Sequence, residues 1–323
     1  MSHFDIFNGD ADGIIALLQL RLASPRKAEL VTGIKRDISL VKKLNMTQLS
    51  GASKVTILDI SMEKNVEALN QVLETGAQVF YADHHRAGDI PEVKNLNAHI
   101  DLDANTCSAL IVDKLLNGQF HDWAITAAYG DNLIKVADEL AKEAGLTPEQ
   151  ARQLKELGTL INYNGYGAHT DDLAFHPAEL FTALVQYDSP FDCIADQASP
   201  YHKLKAAFDA DFARACSAAV LSESDLSYAV LLEDAAWSRR ISGTYGNHLA
   251  NLAPQRAHIV VTTVDKDNYL ISLRAPLNNK VGAGDICAQF ETGGGRAAAA
   301  GINLLPKEHL PDLIAKVEAY YGD

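Results

Sequence analysis

The sequence predicts an α/β chain: an N-terminal parallel-sheet domain with helices on both faces, a helical linker, and a smaller C-terminal α+β domain. Three observations carry this. The chain has 323 residues, enough for about two domains at roughly 150 residues each. Its first 130 residues alternate short apolar runs with amphipathic stretches, the pattern of βαβ units in a parallel sheet. Near residue 226 the pattern returns to β after a long helical region. The expected boundaries are 1–200, 201–225 and 226–323.

Taken in order, Phe4–Phe7 reads as a strand and about Asp12–Leu22 as a helix. Glu29–Ile34, Lys54–Ile60 and Ala77–Ala82 are three further β-rich runs. Between the last two, Val66, Leu69, Val72 and Leu73 recur at helical spacing, with Gly76 as the stop. From Thr106 to about Leu221 the period is helical, punctuated by Pro148, Pro177, Pro190 and Pro200. A helix over about Tyr201–Glu223 forms the linker. Ser227–Leu232, His258–Val264 and Tyr269–Leu273 read as strands of the last domain, with helices near Thr244–Leu252, Gly284–Phe290 and Lys307–Tyr321.

Composition excludes several classes. The net charge is −14, which disfavours a protein that grips long duplex DNA through basic stripes. Residues 226–323 hold nine basic and ten acidic residues, leaving 19 and 32 for the rest; the acidity belongs to the first domain. The four cysteines, at 107, 193, 216 and 287, have no Cys-x-x-Cys spacing, so they read as reduced thiols of a cytoplasmic protein. The N-terminus lacks the basic and apolar regions of a signal peptide, and there is no 18-residue apolar run. No membrane association is expected.

The acidity has a pattern. Asp10-Ala11-Asp12-Gly13 follows the first strand, Asp59 ends the third run, and Asp83-His84-His85 ends the next. In an open α/β sheet the carboxyl ends of the strands line one crevice, where ligands bind. Several carboxylates close together need a cation to ionise, and imidazole added to them suits Mn2+, with Mg2+ possible. Singly, each Asp could equally cap the following helix, and His84-His85 could be a turn. The loop bearing His169, Asp171, Asp172 and His176 reads as a lid or surface loop rather than a third metal site.

Together with Gly293-Gly294-Gly295-Arg296, these motifs resemble the DHH phosphoesterase superfamily with its DHH-associated C-terminal domain, which includes RecJ-type exonucleases, nanoRNases and exopolyphosphatases. The resemblance covers nearly the whole chain and implies a site of two Mn2+ ions. One ion would be held by Asp10 and Asp59. The other would be held by Asp12, Asp59, His84 and Asp131, with Asp101 or Asp103 as substitutes for Asp131. Asn8 stands where the family often has a His or Asp ligand, which weakens the first position. Two ions sharing one carboxylate can polarise a phosphoryl oxygen and activate water. The resemblance places His85 beside the phosphate as donor or proton-transfer group, with Asp83 orienting the imidazoles.

Thr292–Ala298 reads as a glycine loop running into a helix, whose N-terminus would hold an anion. Arg296 stands where the family commonly has His, and Arg274 is a further phosphate contact. The expected function is a Mn2+-dependent phosphohydrolase of short oligonucleotides or small nucleotides such as pAp. An exopolyphosphatase acting on polyphosphate is the alternative. A RecJ-like exonuclease or a non-catalytic nucleotide sensor is less favoured. The expected partner is a small phosphorylated substrate, and the expected state a monomer or homodimer.

Overall fold

A computed structural model describes residues 2–322. The chain falls into two compact units that divide between Ala206 and Ala207. In the first, β1 (His3–Phe7), β2 (Glu29–Val31), β3 (Lys54–Leu58), β4 (Gln78–Asp83) and β5 (Leu96–Ile100) form a sheet of order β2-β1-β3-β4-β5. Every pairing is parallel. Helix α1 (Ala11–Ala23) follows β1 and α2 (Met62–Glu74) follows β3. The helices α3 (Ser108–Leu115), α4 (His121–Gly130), α5 (Ile134–Glu143), α6 (Pro148–Asn164), α7 (Pro177–Leu184) and α8 (Pro190–Ala195) then form a block.

The period-2 pattern of the strands explains how both faces are covered. Phe4, Ile6, Val55, Ile57, Val79 and Tyr81 pack with Ala68, Leu69 and Val72 of α2. The alternate positions, Phe7, Leu58 and Ala82, are buried on the other face, where α1 lies against β1 and β3. Helix α1 is buried almost from end to end, because α3, α4, α6 and α7 pack on it in turn. A helix apolar on every side is what such a double-covered position needs. Its one buried cation, Arg21, is spent on Asp5 of β1, with Nε 2.7 Å from Oδ2, and on the Thr56 hydroxyl at 3.0 Å.

Helix α9 (Pro200–Cys216) runs across the division between the units. The second unit holds β6 (Ala219–Glu223), β7 (Ser227–Leu232), α10 (Ala236–Leu252), β8 (Ala257–Thr263), β9 (Asn268–Arg274), α11 (Ala283–Cys287), β10 (Gly293–Gly295), β11 (Ala299–Pro306) and α12 (Leu310–Gly322). Its sheet has order β10-β11-β9-β8-β7-β6. Only β7 and β8 pair in parallel, across α10; the other pairings are antiparallel.

Three expectations need correction. The linker helix ends at Cys216, and Ala219–Glu223 is an edge strand paired with β7. Strand β5 is an addition to the strands read from the sequence in this unit. Residues 292–301 are not a loop entering a helix: Gly293–Gly295 pairs antiparallel with β11, Gly294 opposite Gly301. The small residues there allow close backbone approach; a β-carbon on Gly293 would overlap the Cys287 carbonyl oxygen. Among the described residues no helix is long and apolar enough to cross a membrane.

Candidate metal centre

The carboxyl ends of β1, β3 and β4 place the acidic motifs in one crevice, as the parallel order requires. Asp10 caps α1, with one oxygen accepting the Gly13 N–H at 3.1 Å. Asp12 lies two residues further on, still in the first turn of α1, and caps nothing on its own helix. Its two oxygens accept the Ser108 and Ala109 N–H groups, each at 2.7 Å. These are free donors of the first turn of α3, so that helix start fixes the Asp12 carboxylate.

Asp59 follows β3 with a φ of 57°. Asp tolerates this left-handed conformation better than most residues, but at a cost of roughly 1–3 kcal/mol. The turn aims the carboxylate inward, where it is 2% exposed and accepts the Ser108 hydroxyl at 3.2 Å. Burial, then the Asp12 and Asp10 carboxylates, push Asp59 well above the usual carboxylate range.

His84 is the hub. Its Nε2 lies 3.5 Å from Asp59 Oδ1, 3.7 Å from Asp12 Oδ2 and 3.9 Å from Asp131 Oδ2. Asp131 reaches this point as the residue capping the C-terminus of α4. Burial, then the carboxylates of Asp12 and Asp10, push it up to about 6, against the opposing charges of Lys35 and His84. Asp101 and Asp103 are engaged elsewhere: Asp101 faces Lys114 at 3.5 Å, and Asp103 accepts the Asn105 N–H. Three carboxylate oxygens thus lie 3.5–3.9 Å from one imidazole nitrogen, and among the described residues it is Asp59, His84 and His85 that offer ligand atoms all within 4.8 Å of one another, close enough to meet at one divalent ion. The donor set is hard to borderline and fits Mn2+ or Mg2+.

His85 is set differently. Its Nδ1 lies 2.7 Å from Asp83 Oδ1, and the side chain is half exposed. That hydrogen bond, against the opposing effect of burial, raises the His85 pKa. Asp83 is buried and its second oxygen has no hydrogen-bond partner.

The other half of the crevice holds a group that no motif signalled. Lys35 lies in the loop after β2, at the same carboxyl end of the sheet. Its Nζ is 2.6 Å from Asp10 Oδ2, 2.9 Å from Asn162 Oδ1 and 3.8 Å from Asp131 Oδ1. Burial works against its charge, but Asp10 foremost holds Lys35 protonated, above the ordinary lysine range. Conversely, burial raises Asp10 while the Lys35 ammonium more than offsets it, leaving Asp10 below its usual value. The loop is clamped: the Lys35 N–H donates to the Gly165 carbonyl at 2.8 Å, and Asn8 Nδ2 donates to the Lys35 carbonyl at 3.2 Å. Gly9 makes the approach possible, since a β-carbon there would overlap the Gly33 carbonyl oxygen. The one available signal was position: Lys35 follows a parallel strand at its carboxyl end. Beside Arg36 it reads as a surface charge.

The second unit's candidates are arranged as follows. Arg274 directs its guanidinium to Asn247 Oδ1 at 2.6 Å, Ser272 Oγ at 3.0 Å and the Gly243 carbonyl at 3.1 Å. It pairs in register with Ala299, so it shares one end of the sheet with the exposed turn bearing Arg296. The 169–176 loop spends its polar groups locally: Asp172 accepts the Ala168 N–H, and His176 caps α7.

Residues 225–323 match the family model of the DHHA1 domain. The DHHA1 match thus lies within the C-terminal unit, and the chain as a whole shares the fold of solved RecJ structures. Three solved structures align with nearly all of it. RecJ of Thermus thermophilus in complex with Mn2+ has a TM-score of 0.63 at 18% identity, covering 99% of this chain and 52% of that one. The chain thus spans about half of that RecJ. An exonuclease RecJ bound to manganese has a TM-score of 0.57 at 16% identity, with 99% and 90% covered. PggH, a pGpG-specific phosphodiesterase from Vibrio cholerae, has a TM-score of 0.55 at 14% identity, with 100% and 99% covered. No curated protein matches by sequence. The acidic crevice occupies the sheet-bearing unit, and the residues matched to the DHHA1 domain include Arg274, Arg296 and the glycine strand.

Proposed function

We propose that the chain is a divalent-metal-dependent phosphoesterase, with Mn2+ favoured, that hydrolyses short oligonucleotides or small nucleotides. The observation that carries this is the convergence of Asp12, Asp59 and Asp131 on His84 Nε2, from four different elements of the fold. An ion held by these four residues would supply Lewis acidity toward a phosphoryl oxygen. The chain's own groups do the rest. Asp83 fixes the ring of His85 through Nδ1, leaving Nε2 on the half-exposed side to donate to a phosphate oxygen or to a departing alkoxide. The α3 N-terminus and Ser108 hold Asp12 and Asp59 in place. In the DHHA1 domain, Arg296 is the freer phosphate-contact candidate, because Arg274 is committed to α10 and β9.

Small substrates are favoured by the absence of a basic track in the sequence and by the match to PggH over its full length. The test is a Mn2+ substrate panel assayed side by side: linear dinucleotides including pGpG, pAp, cyclic dinucleotides, longer single strands and polyphosphates. Turnover of dinucleotides or pAp above the rest supports the reading. Turnover confined to polyphosphate, or none at all, contradicts it. Within the preferred substrate, Arg296→Ala is expected chiefly to raise KM.

A further inference from the structure

The family resemblance implies two ions, but the structure offers two unlike positions. The Asp12–Asp59–His84–Asp131 position has three carboxylate oxygens within 3.9 Å of one imidazole nitrogen, and Lys35 approaches only its Asp131 edge, at 3.8 Å. The position beside Asp10 is already filled. Its carboxylate has one oxygen on the Gly13 N–H and the other on Lys35 Nζ. Asn8, the remaining side chain there, is neutral and gives its amide N–H to the Lys35 carbonyl.

We propose that the Lys35 ammonium takes the place of the second divalent ion, so that this centre binds one metal ion and not two. The inference rests on the metal-dependent reading above and goes beyond it in naming what stands opposite the ion. Lys35 is built into the site. Its main chain is held on both sides, by the Gly165 carbonyl and by Asn8, and Asn162 of α6 orients the ammonium. An ion at Asp10 would have to displace this ammonium from both Asp10 and Asn162 and then share the crevice with it. It would find Asp10 as its one carboxylate not shared with the other position, beside Asp59, Asp131 and the neutral amide oxygens of Asn8 and Asn162. Of the three ammonium hydrogens, Asp10 and Asn162 take two. The third has only Asp131 Oδ1 near it, at 3.8 Å and beyond hydrogen-bond length, so it can turn to a phosphoryl oxygen, the task a second ion would otherwise perform. Lysine suits this as a compact charge with rotatable donors. The substrate class that follows is one whose reacting phosphate is gripped by one divalent ion and one fixed ammonium.

The test is a count of ions. Wild type, Lys35→Gln and Lys35→Arg are dialysed to equilibrium against Mn2+. Bound metal is measured by mass spectrometry, and Mn–Mn coupling is read from the electron paramagnetic resonance spectrum. The expected result is one uncoupled Mn2+ per chain in wild type and Lys35→Arg. Lys35→Gln is expected to hold two, with a coupled spectrum. Two coupled ions in wild type overturn the proposal while leaving the metal-dependent reading standing. One ion in a folded Lys35→Gln, unchanged in affinity, also overturns it, since Lys35 would not be what excludes the second. No bound ion in wild type removes the metal-dependent reading and this inference together. Where Lys35→Gln does not fold, as judged by circular dichroism, the wild-type count decides alone.

Discussion

Asp10 and Asp59 follow neighbouring strands of one sheet, and both are almost fully buried, yet their ionisation is driven in opposite directions. Asp10 has a lysine ammonium at 2.6 Å and stays below its usual range despite burial. Among the described residues the Asp59 carboxylate meets the His84 and His85 rings and the Ser108 hydroxyl, and burial and the neighbouring carboxylates push it well up. Burying several carboxylates is tolerated only where a cation offsets them. On the proposed reading, one half of the crevice carries that cation in its own sequence, and the other half receives it from solution. An acidic cluster therefore does not by itself count the metals it binds.

The sharpest way to break this contrast is on the unneutralised side. Asp59→Asn removes the carboxylate facing His84, and kcat/KM is expected to fall by about a thousandfold or more, about 4 kcal/mol of transition-state stabilisation. Steady-state kinetics with Mn2+ checks this, with circular dichroism showing that the fold persists. Next in size is the neutralised side. Gly9→Ala would push the loop bearing Lys35 away from β1, at an expected cost of about 1–3 kcal/mol in stability. Urea denaturation measures it, and the same variant loosens the Lys35–Asp10 contact.

A smaller effect sharpens the role of the exposed histidine. Asp83→Asn removes the carboxylate that orients His85, so kcat is expected to fall by about 10–100-fold with metal binding retained. Asp83 raises the His85 pKa and so keeps the ring protonated to higher pH. Without it, the alkaline limb of the pH–rate profile is expected to move to lower pH. The smallest effect lies away from the crevice. His121 Nδ1 is 2.7 Å from Asp113 Oδ2, and that hydrogen bond raises the His121 pKa from 6.5. The contribution to stability is fully present below that unfolded value and is lost as pH rises through the folded one. Because His121 is partly exposed, the loss is modest. Thermal melts of wild type and Asp113→Asn should differ more in mildly acidic than in mildly alkaline buffer.

The sequence made the first unit easier to read than the second, for physical reasons. Its central strands are buried on both faces, so Lys54–Leu58 and Gln78–Asp83 appear as apolar runs, and the motifs fall at their ends. Strand β5, Leu-Asn-Ala-His-Ile, does alternate, with Leu96, Ala98 and Ile100 against the core, but it is a five-residue edge strand whose Asn and Ala have low strand preference, and β6 is an almost fully exposed edge. The glycine–alanine segment at 293–301 misleads because small residues favour helix by propensity, while here they serve close strand packing. Within the crevice, the carboxylates and histidines were legible because their spacing is fixed by strand ends. Lys35 was not, because its place depends on contacts with α6, more than 120 residues away in sequence.

The most direct measurement is anomalous diffraction at the manganese edge from crystals grown with Mn2+. The expected map shows a peak within bonding distance of Asp12, Asp59, His84 and Asp131, with the Lys35 ammonium still on Asp10. A map with no peak among those four residues, or with manganese on Asp10 and Lys35 displaced, would contradict it.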